Sequence, residues 1–214
     1  MKFANGCWLK KEGVEFYTPA QVYDEKLLCE GKVLRLYAPA NVIYNRGCTL
    51  GGVVITIKIT APKRGIFGIS LSHYEGISDK YPKFDIDIED AEKLDISHIG
   101  NTVINNGTAK LVIDSSLNMK FYSGGRYLTG IYAKDMAYVT VDAGVDNDGY
   151  RKNTAYMNAA VNLSVGEHIY GLGERFTEFV KNGQSVDMWN ADGGTFTEQA
   201  YKNVPFFMSD RGYG

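Results

Sequence analysis

Alternation of apolar and polar side chains, with a period of two, dominates this chain of 214 residues. Residues 53–60 read VVITIKIT, so valine and isoleucine fall on one face and threonine and lysine on the other. Because successive side chains of a strand point to opposite faces, this pattern predicts a half-buried β-strand. A turn at 61–65 and a second apolar run at 66–74 extend the prediction to a β-hairpin.

The same strand signals recur along the chain, and a convincing amphipathic helix does not; residues 197–202 could form one helical turn. Tight turns are predicted at Asn105-Asn106-Gly107 and at Ser123-Gly124-Gly125-Arg126. Neither βαβ alternation nor a fixed-period repeat is present, which argues against a parallel sheet and a propeller. The predicted fold is all-β, an antiparallel β-sandwich. The further strands are predicted at 14–17, 33–37, 84–88, 94–96, 109–114, 117–122, 127–132, 138–141, 156–164 and 168–170.

Composition and charge narrow the class of protein. The chain is 44% hydrophobic and 22% charged, as in soluble globular proteins. A net charge of −2 gives no electrostatic reason to expect nucleic acid or an anionic membrane as a partner. No stretch approaches the ~20 apolar residues that span a bilayer. Since the first residues contain no apolar run of signal-peptide length, we expect a cytoplasmic location.

Metal and cofactor chemistry is not indicated by the residue patterns, and we expect neither a metal nor a cofactor. The loop DAGVDNDG at 142–149 resembles a calcium site, but Val145 is apolar and a bidentate glutamate at loop position 12 is missing. Two glycosylation sequons begin at Asn106 and Asn162, and without a secretion signal we expect them to be accidental. The cysteines and histidines are widely spaced and form no CxxC or ligand pattern: Cys7, Cys29, Cys48, His73, His98 and His168.

Alternation stops near residues 169–176 and 189–195, where glycines, charges and aromatics crowd together. Such a segment is either a tight structural crossing or part of a binding surface. Gly171-Leu172-Gly173 lacks the third glycine, the helix and the βαβ unit of a dinucleotide site, so nucleotide binding is not expected. For Glu174-Arg175 a structural role is favoured over catalysis. No G-x-S-x-G motif points to serine hydrolase chemistry.

A longer run of motifs carries a family resemblance. YGLGERF at 170–176 is followed by NGQ at 182–184, WNADGGT at 189–195 and TEQAYKN at 197–203, and then by PFFM at 205–208 and RGYG at 211–214. This run resembles the N-terminal part of glycoside hydrolase family 31, and most of all the bacterial α-xylosidase branch. The resemblance implies a β-sandwich of the galactose-mutarotase-like kind for residues 1–214, with a substrate loop at about 171–204.

Function is also implied by the resemblance. Members of the family are retaining α-glycosidases whose two catalytic aspartates lie in a (β/α)8 barrel, and this chain contains no segment that matches the barrel. We therefore expect an N-terminal fragment that holds no catalytic residue and is inactive alone. Its implied substrate-binding residues are Asp192, Thr195 and Trp189, which would contact an α-linked oligosaccharide or glycoside. The implied partners are its own barrel domain and, in homo-oligomers, further copies of the chain.

Two other functions stay open. The chain could be a free-standing carbohydrate-binding or assembly module, which would bind a glycan without the barrel. It could also be a stand-alone aldose mutarotase, since the sandwich type is shared. That activity needs histidine and glutamate as acid and base in a cleft, and no matching histidine motif is visible. The resemblance implies that the choice between xylose and glucose depends largely on residues of the barrel.

Overall fold

A computed structural model describes residues 3–5, 9–73, 93–145, 148–149, 151–188 and 200–214. Within these ranges the chain forms sixteen strands and three short 3₁₀ helices, and no α-helix. The 3₁₀ helices are Cys29–Gly31, Arg46–Thr49 and Ala133–Asp135. The strands are β1 (Ala4–Asn5), β2 (Leu9–Lys10), β3 (Val14–Tyr17), β4 (Asp24–Leu28), β5 (Val33–Pro39), β6 (Val54–Lys63), β7 (Ile66–Ser72), β8 (Asp95–Ile99), β9 (Asn101–Asn106), β10 (Ala109–Ile113), β11 (Met119–Ser123), β12 (Arg126–Ile131), β13 (Met136–Val145), β14 (Arg151–Ala159), β15 (Ile169–Arg175) and β16 (Ala200–Ser209).

Two compact units divide the chain. The larger unit is Glu12–Asn162, and the smaller unit combines Met1–Lys11 with Leu163–Gly214. The larger unit contains three antiparallel sheets, with strand orders β4-β5-β6-β7, β12-β11-β10-β9-β8 and β14-β13-β3. The smaller unit contains the pairs β1-β2 and β15-β16, also antiparallel. The assignment of residues 1–214 to one domain stays a prediction.

The core of the larger unit is assembled from facing sheets. Ile55, Ile57 and Ile59 of β6 are 0% exposed, as their alternation predicts. The same hydrophobic cluster includes Ile104 of β9 and Leu111 of β10, from the five-stranded sheet. Burying an aliphatic side chain of this size stabilises a fold by about 1.5–3 kcal/mol. The predicted antiparallel β-sandwich is therefore confirmed.

A turn residue joins the ends of two hairpins. Asn106 precedes the predicted turn at Gly107, which has a φ of 68°. Its side-chain Nδ2 donates to the backbone oxygens of Lys63 and Ile66, at 2.8 Å each. These two carbonyls flank the turn between β6 and β7. The asparagine that predicted a turn thus also ties its hairpin to a neighbouring one, which explains its burial.

Several predicted boundaries differ from the observed ones. The strand predicted at 156–164 ends at Ala159, and the backbone amide of Asn162 donates instead to the Gly130 oxygen. The helical turn predicted at 197–202 is wrong for residues 200–202, which pair with β15 as the start of β16. Residues 197–199 and the strand predicted at 84–88 lie outside the described residues.

Candidate functional site

The structure describes the base of the predicted substrate loop. Trp189, Asp192 and Thr195 lie outside the described residues. Arg175, the last residue of β15, pairs with Ala200, the first of β16. The connection 176–199 therefore leaves and returns at the same point of the smaller unit. Connections longer than about 12–15 residues between paired strands are uncommon, and many of them carry function.

Gly171-Leu172-Gly173, the glycine motif that lacks the features of a dinucleotide site, forms a β-bulge. Gly171 pairs with Phe207 and Gly173 with Asn203, so residues 204–206 of β16 lie opposite Leu172 alone. Pro205 fits this position because a proline, which has no N–H to donate, is tolerated at a bulge. No helix follows the glycines, since β15 continues to Arg175. The segment is a structural crossing.

Close backbone approach explains both glycines. A Cβ atom on Gly173 would lie 2.0 Å from the backbone oxygen of Lys202, and one on Gly171 would lie 2.7 Å from that of Phe206. The φ angles of Gly171, Leu172 and Gly173 are 105°, 68° and 94°, all in the region that favours glycine. The bulge can therefore form only with residues that leave this space empty.

Arg175 fastens the bulge to the opposite strand. Its Nε donates to the Leu172 oxygen at 2.7 Å, and its guanidinium also donates to Oδ1 of Asn203. The side chain is partly buried, whereas the neighbouring Glu174 is exposed. Within Glu174-Arg175, Arg175 therefore has the predicted structural role, because it donates hydrogen bonds to uncharged oxygens of β15 and β16.

The first part of the connection, residues 176–188, is organised by two side chains that donate to backbone oxygens. Lys181 is only 7% exposed. Its Nζ donates to Oγ1 of Thr177 at 3.1 Å and to the Glu178 oxygen. Gln184 Nε2 donates to the Val180 oxygen at 2.6 Å and to the same Glu178 oxygen at 3.2 Å. These bonds satisfy carbonyls that the irregular backbone leaves unpaired.

Asn182 attaches this segment to the strand before it. Its Oδ1 accepts a hydrogen bond from the Ile169 amide at 2.8 Å, and its Nδ2 donates to the Glu167 oxygen at 2.8 Å. Both side-chain groups therefore act as a strand neighbour would, at the entrance to β15. The NGQ motif noticed in the sequence has a structural explanation, because Asn182 and Gln184 hold the loop base.

A buried carboxylate lies at the entrance to β15, at the end of the β15–β16 ladder opposite to Arg175 and Ala200. Glu167 is 5% exposed, and its Oε1 accepts from the hydroxyls of Tyr213, at 2.5 Å, and of Ser209. Its Oε2 accepts from the Ser164 amide at 2.7 Å. Burial, the largest single influence, raises the pKa of Glu167, but these bonds and the nearby charge of Arg211 together outweigh it. The net effect is a pKa below the ordinary glutamate value, so the group is ionised near neutral pH.

Residues around this carboxylate form a closed network. Arg211 donates through its guanidinium to Oγ of Ser164, and its backbone amide donates to Oγ of Ser209 at 3.0 Å. At the surface, Nδ1 of His168 lies 2.9 Å from Oδ2 of Asp210, and this hydrogen bond lowers the pKa of Asp210. Residue patterns along the chain do not predict these partners. A glutamate in a Val-Gly-Glu turn carries no local signal that it will be buried.

The remaining sequence features have local explanations. Nδ2 of Asn106 donates to two carbonyls, and Nδ2 of Asn162 is buried, so neither sequon presents an accessible amide nitrogen in the folded chain. In the described part of the chain, no three potential metal ligands come together. No helix within the described ranges is long and apolar enough to cross a membrane.

Comparison with known proteins gives a consistent result. The model of the glycosyl hydrolase 31 N-terminal galactose mutarotase-like domain matches residues 56–214. The alpha-xylosidase XylQ of Lactiplantibacillus pentosus is 37% identical over 216 residues, covering 100% of this chain and 27% of that protein. An alpha-xylosidase of Emericella nidulans is 35% identical over 229 residues, covering 100% of this chain and 29% of that protein. The chain thus spans less than a third of the length of these curated relatives.

A solved structure supports the fold. The GH31 dextranase of Flavobacterium johnsoniae, complexed with glucose, superposes with a TM-score of 0.57 at 16% identity. The alignment covers 92% of this chain and 22% of the dextranase. At this level of identity the likeness concerns the fold alone.

Proposed function

Because the chain belongs to the glycosyl hydrolase 31 family through its N-terminal galactose mutarotase-like domain, we propose that it is the non-catalytic N-terminal domain of a retaining α-glycosidase. The whole protein would hydrolyse terminal α-linked sugars of the α-xylosidase or α-glucosidase type. Two relatives of more than three times this length are named alpha-xylosidases, which favours that substrate class. The catalytic residues would lie in a (β/α)8 barrel outside residues 1–214.

The proposal is supported chiefly by the contacts that hold the base of the connection 176–199 in place. Strand pairing at Arg175 and Ala200, the bulge at Gly171–Gly173 and the donors of Lys181 hold this base. Asn182 also attaches the connection to the entrance of β15, by accepting from the Ile169 amide. A site on a loop needs such rigid support if its side chains are to meet a substrate in a defined position. We therefore assign the connection to the substrate pocket of the complete enzyme.

Three side chains of the connection would contact the sugar. Asp192 would accept hydrogen bonds from two hydroxyls of a polyol, since a carboxylate offers two acceptor oxygens. Thr195 would donate or accept one further bond. Trp189 would present an apolar face to a sugar ring, or anchor the loop. Gly193 and Gly194 would let the backbone turn sharply beside the carboxylate.

Exposed apolar side chains on β16 suggest where the catalytic domain lies. Phe206 is 53% exposed and Met208 55%, at alternate positions of the strand. At the loop base, the rings of Phe176 and Tyr201 contact each other with centroids 4.8 Å apart, and both residues are also largely exposed. Large apolar side chains that stay exposed are typical of contact surfaces. The proposed partner of these side chains is the chain's own barrel domain.

A comparison of two proteins tests the proposed function. The complete protein should hydrolyse p-nitrophenyl α-xyloside or α-glucoside with retention of configuration, and residues 1–214 alone should show no turnover. Turnover by residues 1–214 that disappears when their own acids are substituted would refute the non-catalytic role. A complete protein inactive on both glycosides would refute the assigned substrate class.

A further inference from the structure

A polar cleft opens within the larger unit. Its volume is about 220 Å³, and it lies between β4 and the β8–β9 hairpin. β4 is the edge strand of the four-stranded sheet and β8 is the edge strand of the five-stranded sheet. Val22, Leu36 and Ile113 give the cleft an aliphatic floor. Its volume is below the ~300–1,000 Å³ of drug-sized sites, so an occupant must be small.

One imidazole spans the mouth of this cleft. Nδ1 of His98 lies 3.2 Å from Oγ1 of Thr102, its cross-strand neighbour. Nε2 of the same ring lies 3.7 Å from Oε1 of Glu25 on β4. That separation is too long for a direct hydrogen bond, and gaps of this length between polar groups are commonly bridged by a hydroxyl or a water. The ring is thus positioned by Thr102 and faces a carboxylate that it does not reach.

Other polar groups on the rim have hydrogen-bonding capacity to spare. The side chains of Asn101 and Ser115 line the cleft without a partner among the described residues. Asp114 is different, because its carboxylate accepts from the amides of Ser116 and Asn118 and faces Lys120 at 3.5 Å. The lining therefore offers an acceptor at Glu25, a donor and acceptor at Asn101 and a hydroxyl at Ser115.

We propose that this cleft binds a small neutral polyol of monosaccharide size. One ligand hydroxyl would donate to Oε1 of Glu25 and, depending on the His98 tautomer, accept from Nε2 of His98, bridging the 3.7 Å gap. Further hydroxyls would bond to Asn101 and Ser115, and ring C–H groups would cover the aliphatic floor. A cation is disfavoured at Asp114, because its carboxylate already faces Lys120 at 3.5 Å.

The test uses the chain labelled with ¹⁵N and titrated with D-xylose, D-glucose and glycerol. Amide shifts should concentrate in β4, β8 and β9 for at least one of the sugars. E25Q should weaken that binding about 10-fold, because hydrogen bonds to a charged acceptor are the stronger ones. S115A should weaken it less. E12Q alters an exposed carboxylate outside the cleft and should bind as the unaltered chain does.

Each result decides for or against the cleft. Unchanged affinity in E25Q, or shifts confined to other strands, would overturn the proposal. Binding of putrescine without binding of a sugar would overturn it as well, in favour of a cationic ligand. The titration reports on β4, β8 and β9 of residues 1–214, whereas the glycoside assay reports on the complete protein, so either proposal can fail without the other.

Discussion

The hydroxyl of Tyr213 donates a hydrogen bond of 2.5 Å to Oε1 of Glu167, from 46 residues further along the chain. Ser209 donates to the same oxygen, and the Ser164 amide to the other one. The carboxylate thereby joins the turn before β15 to the turn after β16. It holds β15 and β16 together at one end of their ladder. The connection 176–199 begins and ends at the other end, at Arg175 and Ala200.

Replacing this carboxylate should destabilise the smaller unit. E167Q cannot accept all three donors, because one side of an amide is itself a donor, and it loses the attraction of Arg211. Leaving one buried group unsatisfied typically costs about 1–3 kcal/mol. We expect a loss of that size in the free energy of unfolding, measured by urea denaturation. E12Q, at an exposed position, is the control and should unfold as the unaltered chain does.

Stability should also depend on acid in a defined direction. The pKa of Glu167 is lowered in the folded chain, so the unfolded chain binds more protons at moderately acidic pH. The contribution of Glu167 to the free energy of unfolding is therefore fully present above the unfolded pKa of ~4.3. It is lost as the pH falls through the lower pKa of the folded chain. Unfolding free energies between about pH 7 and pH 3 should fall less steeply for E167Q. Parallel curves would contradict the assignment, since Asp114 and Asp210 would then account for the whole effect.

An alanine at the bulge should be poorly tolerated. G173A would drive a Cβ into the Lys202 oxygen, which is backbone and cannot move aside without disturbing β16. The matched control is G65A, which has a φ of 82° and open space around the added carbon. The control should lose about 1–2 kcal/mol, the cost of the left-handed conformation alone. G173A should lose clearly more in the same denaturation experiment, and equal losses would show that the collision is relieved.

Replacing Asn182 by alanine should increase local opening at the start of β15. N182A removes the acceptor for the Ile169 amide and the donor to the Glu167 oxygen. We expect hydrogen exchange at the Ile169 amide to accelerate about 10-fold, which corresponds to roughly one lost hydrogen bond. Exchange at the Ile57 amide, in the core of the larger unit, provides the internal control. An unchanged rate at Ile169 would mean that water replaces the side chain without cost.

In the complete enzyme, D192A should reduce kcat/KM about 10- to 150-fold, the equivalent of one charged hydrogen bond of ~1.5–3 kcal/mol. The measurement uses the glycoside that the unaltered enzyme hydrolyses best, and E12A is the control for an exposed carboxylate. Unchanged kcat/KM would refute the role assigned to Asp192. A rise in KM with kcat unchanged would show that Asp192 binds the substrate and the transition state equally.

Much of the fold follows from local patterns. Residues 14–17 were predicted as a strand with the observed bounds, and the β6–β7 hairpin follows from alternation and turn residues alone. The predicted end of a strand differs from the observed one where an apolar run continues past the last paired residue, as after Ala159. At 200–202, pairing with β15 prevails over the local helical signal, because each strand pair satisfies backbone groups that a single helical turn leaves open.

Less of the candidate site than of the fold follows from local sequence patterns. Sequence motifs alone identified the family and the stretch 170–203, and the positions assigned to the sugar, Trp189, Asp192 and Thr195, stay predictions. The partners of Glu167, Lys181 and Asn182 could not be predicted, because they depend on which distant residues the strands bring together.

The sequence by itself determined the all-β class, strands such as β3 and the β6–β7 hairpin, and the family, since side-chain periodicity and motif spacing are properties of neighbouring residues. It did not predict β4 or β9. Only the tertiary structure decided that Gly171-Leu172-Gly173 is a bulge and that a buried glutamate joins the start of β15 to the end of β16. The physical reason is that both depend on the approach of β16, whose Lys202 oxygen leaves no room for a side chain at Gly173. No local pattern encodes that distance.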